Sequence, residues 1–176
     1  MCMSSRRRVQ LLAAILASQI VFAHAQSPQL GQPVTPEELA MIDFTVMPDG
    51  RGLPQGSGDA GQGGKLYAQH CLACHGAEGV DGLNDRLAGG HGTLSTHAPV
   101  KTVGSYWPYA TTIFDFIRRA MPYKTPGMLN HDEVYALTAY LLYINGIVDE
   151  GEVMDEQSLP AVVMPNQDGF VWAVAE

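Results

Sequence analysis

The run Cys71-Leu72-Ala73-Cys74-His75 decides how the rest of this chain is read. Two thiols three positions apart lie on one helical turn, so each can add to a vinyl group of the same flat macrocycle. The adjacent imidazole of His75 then faces a metal at its centre. This is the C-x-x-C-H pattern of c-type haem attachment: Cys71 and Cys74 form the covalent thioethers and His75 ligates the iron. Other uses of two close thiols fit less well. A thioredoxin-like C-x-x-C expects a strand before it, and here a glycine-rich helical stretch precedes it. A structural zinc needs a closed ligand set, and His70 and His75 flank the thiols with no second cysteine pair. A disulfide between Cys71 and Cys74 stays open to an exported chain. The haem reading takes up His75 and the downstream pattern together.

The iron then needs a sixth ligand or an open site. Met121, Met128, Met154 and Met164 follow the motif, as do His91 and His97, either of which would make a bis-histidine haem. A methionine is more often core filler than ligand. Met121 stands out because it directly follows a helical stretch and precedes Pro122, which fixes the backbone and lets the thioether project from a loop. Met128, in Pro126-Gly127-Met128, is next. His/Met ligation raises the potential and leaves no vacant position, which favours electron transfer over catalysis at the iron.

Working outward, a helix is predicted from about Asp59 to Ala73, with Leu66, Tyr67 and Cys71 on related turns. Gly61, Gly63 and Gly64 near its start each cost roughly 1 kcal/mol against alanine, so a close helix crossing is expected there. Residues 76–107 read as a long loop, uncommon in a compact domain unless it wraps something. Pro108 to Ala120 reads as a helix with Ile113, Phe114 and Ile117 as its apolar stripe. Asn130 opens the clearest helix, with Glu133 completing a capping box. Val134, Leu137, Thr138, Leu141 and Leu142 follow at helical spacing, and Asn145-Gly146 stops it. Before the motif, Thr35-Pro36-Glu37-Glu38 predicts one short helix near 36–42 within an extended arm lying over a core.

The N-terminus carries Arg6, Arg7 and Arg8, an apolar stretch from Val9 to Ala23, and Ala23-His24-Ala25. This is the layout of a secretory signal cleaved after Ala25. The apolar run falls short of the roughly 20 residues of a retained span, so the expectation is a periplasmic protein without stable membrane insertion. Cys2 leaves with the signal. Cleavage leaves 151 residues with seven Lys or Arg against 18 Asp or Glu, a formal charge of −11. That disfavours nucleic acid, which needs a basic footprint, and favours docking to a basic partner surface. The expected organisation is signal peptide 1–25, extended arm 26–57, cytochrome domain 58–148 and irregular tail 149–176.

The order of glycine-rich helix, Cys-x-x-Cys-His, long loop, short helix, Met-Pro and final amphipathic helix resembles the class I cytochromes c. That resemblance implies an all-α fold of three to five helices around one covalently bound haem. It also implies a crossing of first and last helices at a glycine–aromatic contact, here Gly61 or Gly64 against Tyr140. A narrower resemblance is carried by Pro48-Asp49-Gly50-Arg51-Gly52-Leu53-Pro54, Val103-Gly104-Ser105-Tyr106-Trp107-Pro108-Tyr109-Ala110-Thr111-Thr112, Arg119-Ala120-Met121-Pro122-Tyr123, Glu133 through Leu142, and Met164-Pro165-Asn166. These blocks are similar to the cytochrome c subunit of Sox- and Sor-type sulfite dehydrogenases.

The narrower resemblance implies a mono-haem electron acceptor, with Met121 as the second axial ligand and no catalytic residues of its own. Its implied partners are a molybdenum-cofactor catalytic subunit and a downstream cytochrome c or oxidase. The alternatives are a carrier for a different periplasmic dehydrogenase and a haem enzyme or sensor with an open iron site. Tyr106, Trp107 and Tyr109 are candidates for packing on the haem edge or in the core. Arg86 is a candidate propionate partner or an ordinary surface arginine. Arg118 and Arg119 either steer a partner or complement a helix C-terminus.

Overall fold

Three of the helices begin where a short polar side chain, Thr35, Asp59 or Asn130, takes up a free N–H of the first turn. In the computed structural model, which describes residues 30–171, Thr35 Oγ1 accepts from the Glu38 amide at 3.2 Å and the Glu38 carboxylate accepts from the Thr35 amide at 2.9 Å. Helix α1, Pro36–Ile42, follows, as predicted. The signal-peptide reading of residues 1–25, with Cys2, lies outside the described residues. The chain divides into two units at Leu39/Ala40. In the first, residues 30–39 are exposed.

Ser57–Gly58 forms β1, and Asp59 with Gln62 makes a second capping box that opens α2, Ala60–His70. The prediction ran this helix on to Ala73. Instead it stops at Cys71, whose φ of −119° breaks the ladder, and a short α3, Leu72–His75, ends at Gly76 with φ of 77°. A 3-10 turn at Ala77–Gly79 follows, and the chain then runs without regular structure to Tyr109. Helix α4, Ala110–Ala120, buries Ile113, Phe114 and Ile117, the predicted stripe. Helix α5, His131–Ile144, starts at the predicted Asn130–Glu133 box and ends at Asn145. Its residues Val134 to Ala139 are all buried, as are Leu141 and Leu142. The class is all-α; the one sheet among the described residues pairs β1 antiparallel with β2, Met154–Asp155.

The glycines of α2 are explained by its crossing with α5. A Cβ on Gly63 would sit 1.9 Å from the Ala136 carbonyl oxygen, and one on Gly64 would touch the Tyr140 ring at 3.2 Å. Gly64 thus makes the expected aromatic contact. Gly61 does not, meeting only its own cap residue, and Gly63 makes the closest approach of the three. The Tyr67 and Tyr140 rings meet beside this crossing, tilted 43° to each other with centroids 5.0 Å apart.

Two irregular segments complete the core. Residues 46–58 lie across α4 and α5: the Val46 amide donates to Asp115 at 3.1 Å, Thr111 Oγ1 donates to the Pro48 carbonyl at 3.3 Å and the Tyr135 hydroxyl donates to the Pro54 carbonyl at 2.9 Å. The C-terminal segment, where irregular chain is expected, holds β2 and a 3-10 turn at Leu159–Ala161, and it fully buries Met154 and Leu159 and nearly all of Met164. Each such side chain contributes about 1.5–3 kcal/mol of hydrophobic stabilisation. The acids of this segment are not all solvated bystanders, because Asp155 accepts from the amides of Gln157 and Ser158 and closes a turn.

Candidate haem-binding site

The break at Cys71 shapes the motif. Its amide still closes α2 on Tyr67, while its carbonyl accepts from both Cys74 (3.0 Å) and His75 (2.9 Å). The five residues are therefore one tight turn set off from α2. Cys71 is half-buried against the core and Cys74 is exposed, and the two thiols are not joined in a disulfide. Burial first, and then the neighbouring Cys74, push the Cys71 thiol up to about 11, so at neutral pH it keeps its proton.

His75 is oriented by the loop that follows it. Its Nδ1 lies 2.8 Å from the Asp85 carbonyl oxygen. A carbonyl can only accept, so Nδ1 carries a proton, and in the neutral ring that leaves the lone pair on Nε2. A metal-ligating histidine is commonly held in this way. The loop is drawn onto the turn by the Asn84 amide, which donates to the Cys74 carbonyl at 2.9 Å, and by the absence of a side chain at Gly82. A Cβ there would sit 2.3 Å from the Cys74 carbonyl oxygen. The Tyr67 hydroxyl donates to the Gly76 carbonyl at 2.8 Å and ties the turn back to α2.

The candidate sulfur ligands differ in burial. Met121 caps the C-terminus of α4 in an extended conformation, half-buried at the edge of the core. Met128 is 51% exposed, and its sulfur accepts from the Thr125 hydroxyl at 3.1 Å. Met154 and Met164 are core residues. His97 is exposed, and so is His91, which lines a cleft of about 570 Å3 with Asn145, Met164 and Asp168 that includes none of Cys71, Cys74, His75 or Met121.

Tyr109 is exposed, whereas the other candidate aromatics and the arginines meet protein neighbours. Trp107 packs edge-on against Phe116 with centroids 5.7 Å apart, and Tyr106 against Phe170 at 5.4 Å. Arg86 pairs loosely with Asp81 at 3.5 Å on the surface. Arg119 pairs with Asp115, and Arg118 lies over the Phe44 ring, 5.1 Å from its centroid.

The donor set fits a haem iron. Two unpaired thiols share one helical turn, an imidazole has its tautomer fixed and its second nitrogen free, and a thioether stands at a helix end. Leu72 and Leu83, exposed at 44% and 92%, offer apolar surface beside the motif in sequence. Among the described residues no group of three or more His, Cys, Asp or Glu is placed to hold a bare metal ion, and no helix is long and apolar enough to cross a membrane. Two participants were not foreseen: Asp85, which acts through its backbone and so leaves no trace in its residue type, and Asn145.

The family described as cytochrome c oxidase, cbb3-type, subunit III, matches residues 58–141. No curated protein matches the chain. Among solved structures, the chain is similar to one in the crystal structure of the sulfane dehydrogenase SoxCD from Paracoccus pantotrophus, with 46% identity over 82% of this chain and 72% of that one, at a TM-score of 0.76.

Proposed function

The chain belongs to the class I cytochromes c, electron carriers that use haem c, and from that premise we propose that it is the electron-accepting subunit of a molybdenum-dependent dehydrogenase of sulfite or a related sulfur compound, working in the periplasm. The observation that carries the reading is the 46% identity, over 82% of the chain, to a chain of a sulfane dehydrogenase. The site chemistry agrees with it. One haem c is tethered through Cys71 and Cys74, with His75 and Met121 as its axial ligands.

Bound haem supplies a one-electron ferric/ferrous couple. The protein's own residues hold and orient. Cys71 and Cys74 would fix the macrocycle to the turn, the Asp85 carbonyl holds the His75 ring, and the identity of the axial ligands with the packing around the group would set the potential. No side chain of this chain is assigned bond-making on a substrate. The charge of −11 left after signal cleavage suits docking to basic surfaces on the donor and on a downstream cytochrome c or oxidase.

The test is reduction of the haem-loaded protein by sulfite, or by a sulfane-sulfur donor, in the presence of the molybdenum protein that co-purifies with it. Rapid growth of the ferrous spectrum supports the reading. A protein that purifies without molybdenum and stays ferric with these donors contradicts it. The match over 58–141 to an oxidase subunit favours one second reading, a carrier that feeds an oxidase from a different periplasmic dehydrogenase. Reduction by such an enzyme, with none by the sulfur donors, would select it.

A further inference from the structure

Asn145 ends α5, far along the chain from the haem motif, yet its side chain grips the motif's loop. It is 5% exposed, and both of its amide protons and its oxygen are hydrogen-bonded. Nδ2 donates to the Leu141 carbonyl of its own helix at 2.8 Å and to the Leu87 carbonyl at 3.1 Å, and Oδ1 accepts from the Gly89 amide at 3.1 Å. Leu87 lies two residues beyond Asp85, whose carbonyl holds His75 Nδ1. The imidazole is carried by the turn after α2, and its acceptor by a loop with no regular structure of its own. The α2–α5 crossing joins the two sides rigidly, and Asn145 is where α5 takes hold of the loop. Gly104 closes the other wall, where a Cβ would sit 2.3 Å from Asn145 Oδ1.

We propose that Asn145 is a positioning residue for the haem: by clamping residues 87–89 to the end of α5, it sets the Asp85 carbonyl against His75 and so tunes the electron-donating power of that ligand. This rests on the reading of His75 as an axial ligand. A loosened Nδ1–H···O bond makes the imidazole a poorer donor, stabilises the ferric iron less and moves the potential upward.

The test uses the haem-loaded protein in four forms: wild type, Asn145→Ala, Gly104→Ala and Asn130→Ala. Asn145→Ala removes the clamp. Gly104→Ala crowds it from the opposite side and keeps the test alive should Asn145→Ala not fold. Asn130→Ala removes the N-cap of the same helix and controls for lost helix stability. Two quantities are read: hydrogen exchange of the His75 ring N–H by NMR, and the reduction potential. The expected result is exchange at least about tenfold faster and a raised potential in Asn145→Ala and Gly104→Ala, with Asn130→Ala matching wild type in both. Lower thermal stability in Asn145→Ala with an unchanged ring proton and potential would overturn the positioning role. A wild-type His75 ring proton with no shift from the haem would instead remove His75 as a ligand, and the positioning role with it.

Discussion

Gly63 of α2 faces the backbone of Ala136 of α5 so closely that a Cβ on the glycine would lie 1.9 Å from the Ala136 carbonyl oxygen. A backbone carbonyl in the middle of a buried helix cannot step aside, so two helices would have to part to admit one methyl group. Gly63→Ala is therefore expected to lower stability by at least about 2 kcal/mol, in the upper part of the range for overpacking, despite alanine's better helix propensity. Gly61→Ala, which meets only Asp59 Oδ1 at 3.3 Å, should leave stability unchanged or raise it by up to about 1 kcal/mol, the gain in helix propensity. Equilibrium denaturation of the two variants side by side reads the difference, and equal losses would refute this account of the crossing.

Asp115 is expected to anchor the segment before the motif. Its carboxylate accepts from the Val46 amide at 3.1 Å and pairs with Arg119. Asp115→Ala leaves a buried amide without a partner, a loss of about 1–3 kcal/mol, and should free residues 43–48 for cleavage under limited proteolysis. Cleavage sites and rates the same as wild type would mean that the anchor lies elsewhere.

Tyr67 should titrate late. In the chain before haem attachment, burial first, and then the nearby Cys71 thiol, push its hydroxyl from 10.0 up to about 12. A raised folded-state value means that the folded protein holds this proton more tightly than the unfolded chain does. The contribution is thus complete below pH 10 and is lost as pH climbs toward about 12. Ultraviolet difference titration against Tyr67→Phe should isolate a phenol ionising near the top of that window. Ionisation at the ordinary value would contradict the burial.

Met121 and Met128 are separable by spectroscopy. Methionine-ligated ferric haem has a weak near-infrared charge-transfer band. Met121→Ala should abolish it, whereas Met128→Ala, at an exposed side chain, should leave it intact. The reverse pattern would move the ligand seven residues on.

What the sequence made legible was what is local. The Asn130–Glu133 box, the stripe on α4 and the stop at Asn145-Gly146 all lie within a few residues, and the structure places each where it was read. The motif itself needs only a spacing of three. The break at Cys71 was not legible, because nothing in Gln69-His70-Cys71 forbids a helix and the loop packed beneath the turn decides it. Met154, Leu159 and Met164 gave no signal, since they fill the core from an irregular segment without any period. The acceptor for His75 is a backbone carbonyl that any residue would supply. Asn145 announced itself only as a helix stop, because its long-range partners lie 56 and 58 residues away.

The central claim is that one haem is covalently held by the Cys71–His75 turn, and the mass of the peptide spanning that turn tests it most directly. After maturation in a host able to attach haem c, the account predicts a single peptide containing Cys71, Cys74 and His75, heavier by one haem and stable to denaturation and acid extraction. The same peptide recovered at its unmodified mass, with both thiols free to alkylate, would contradict it.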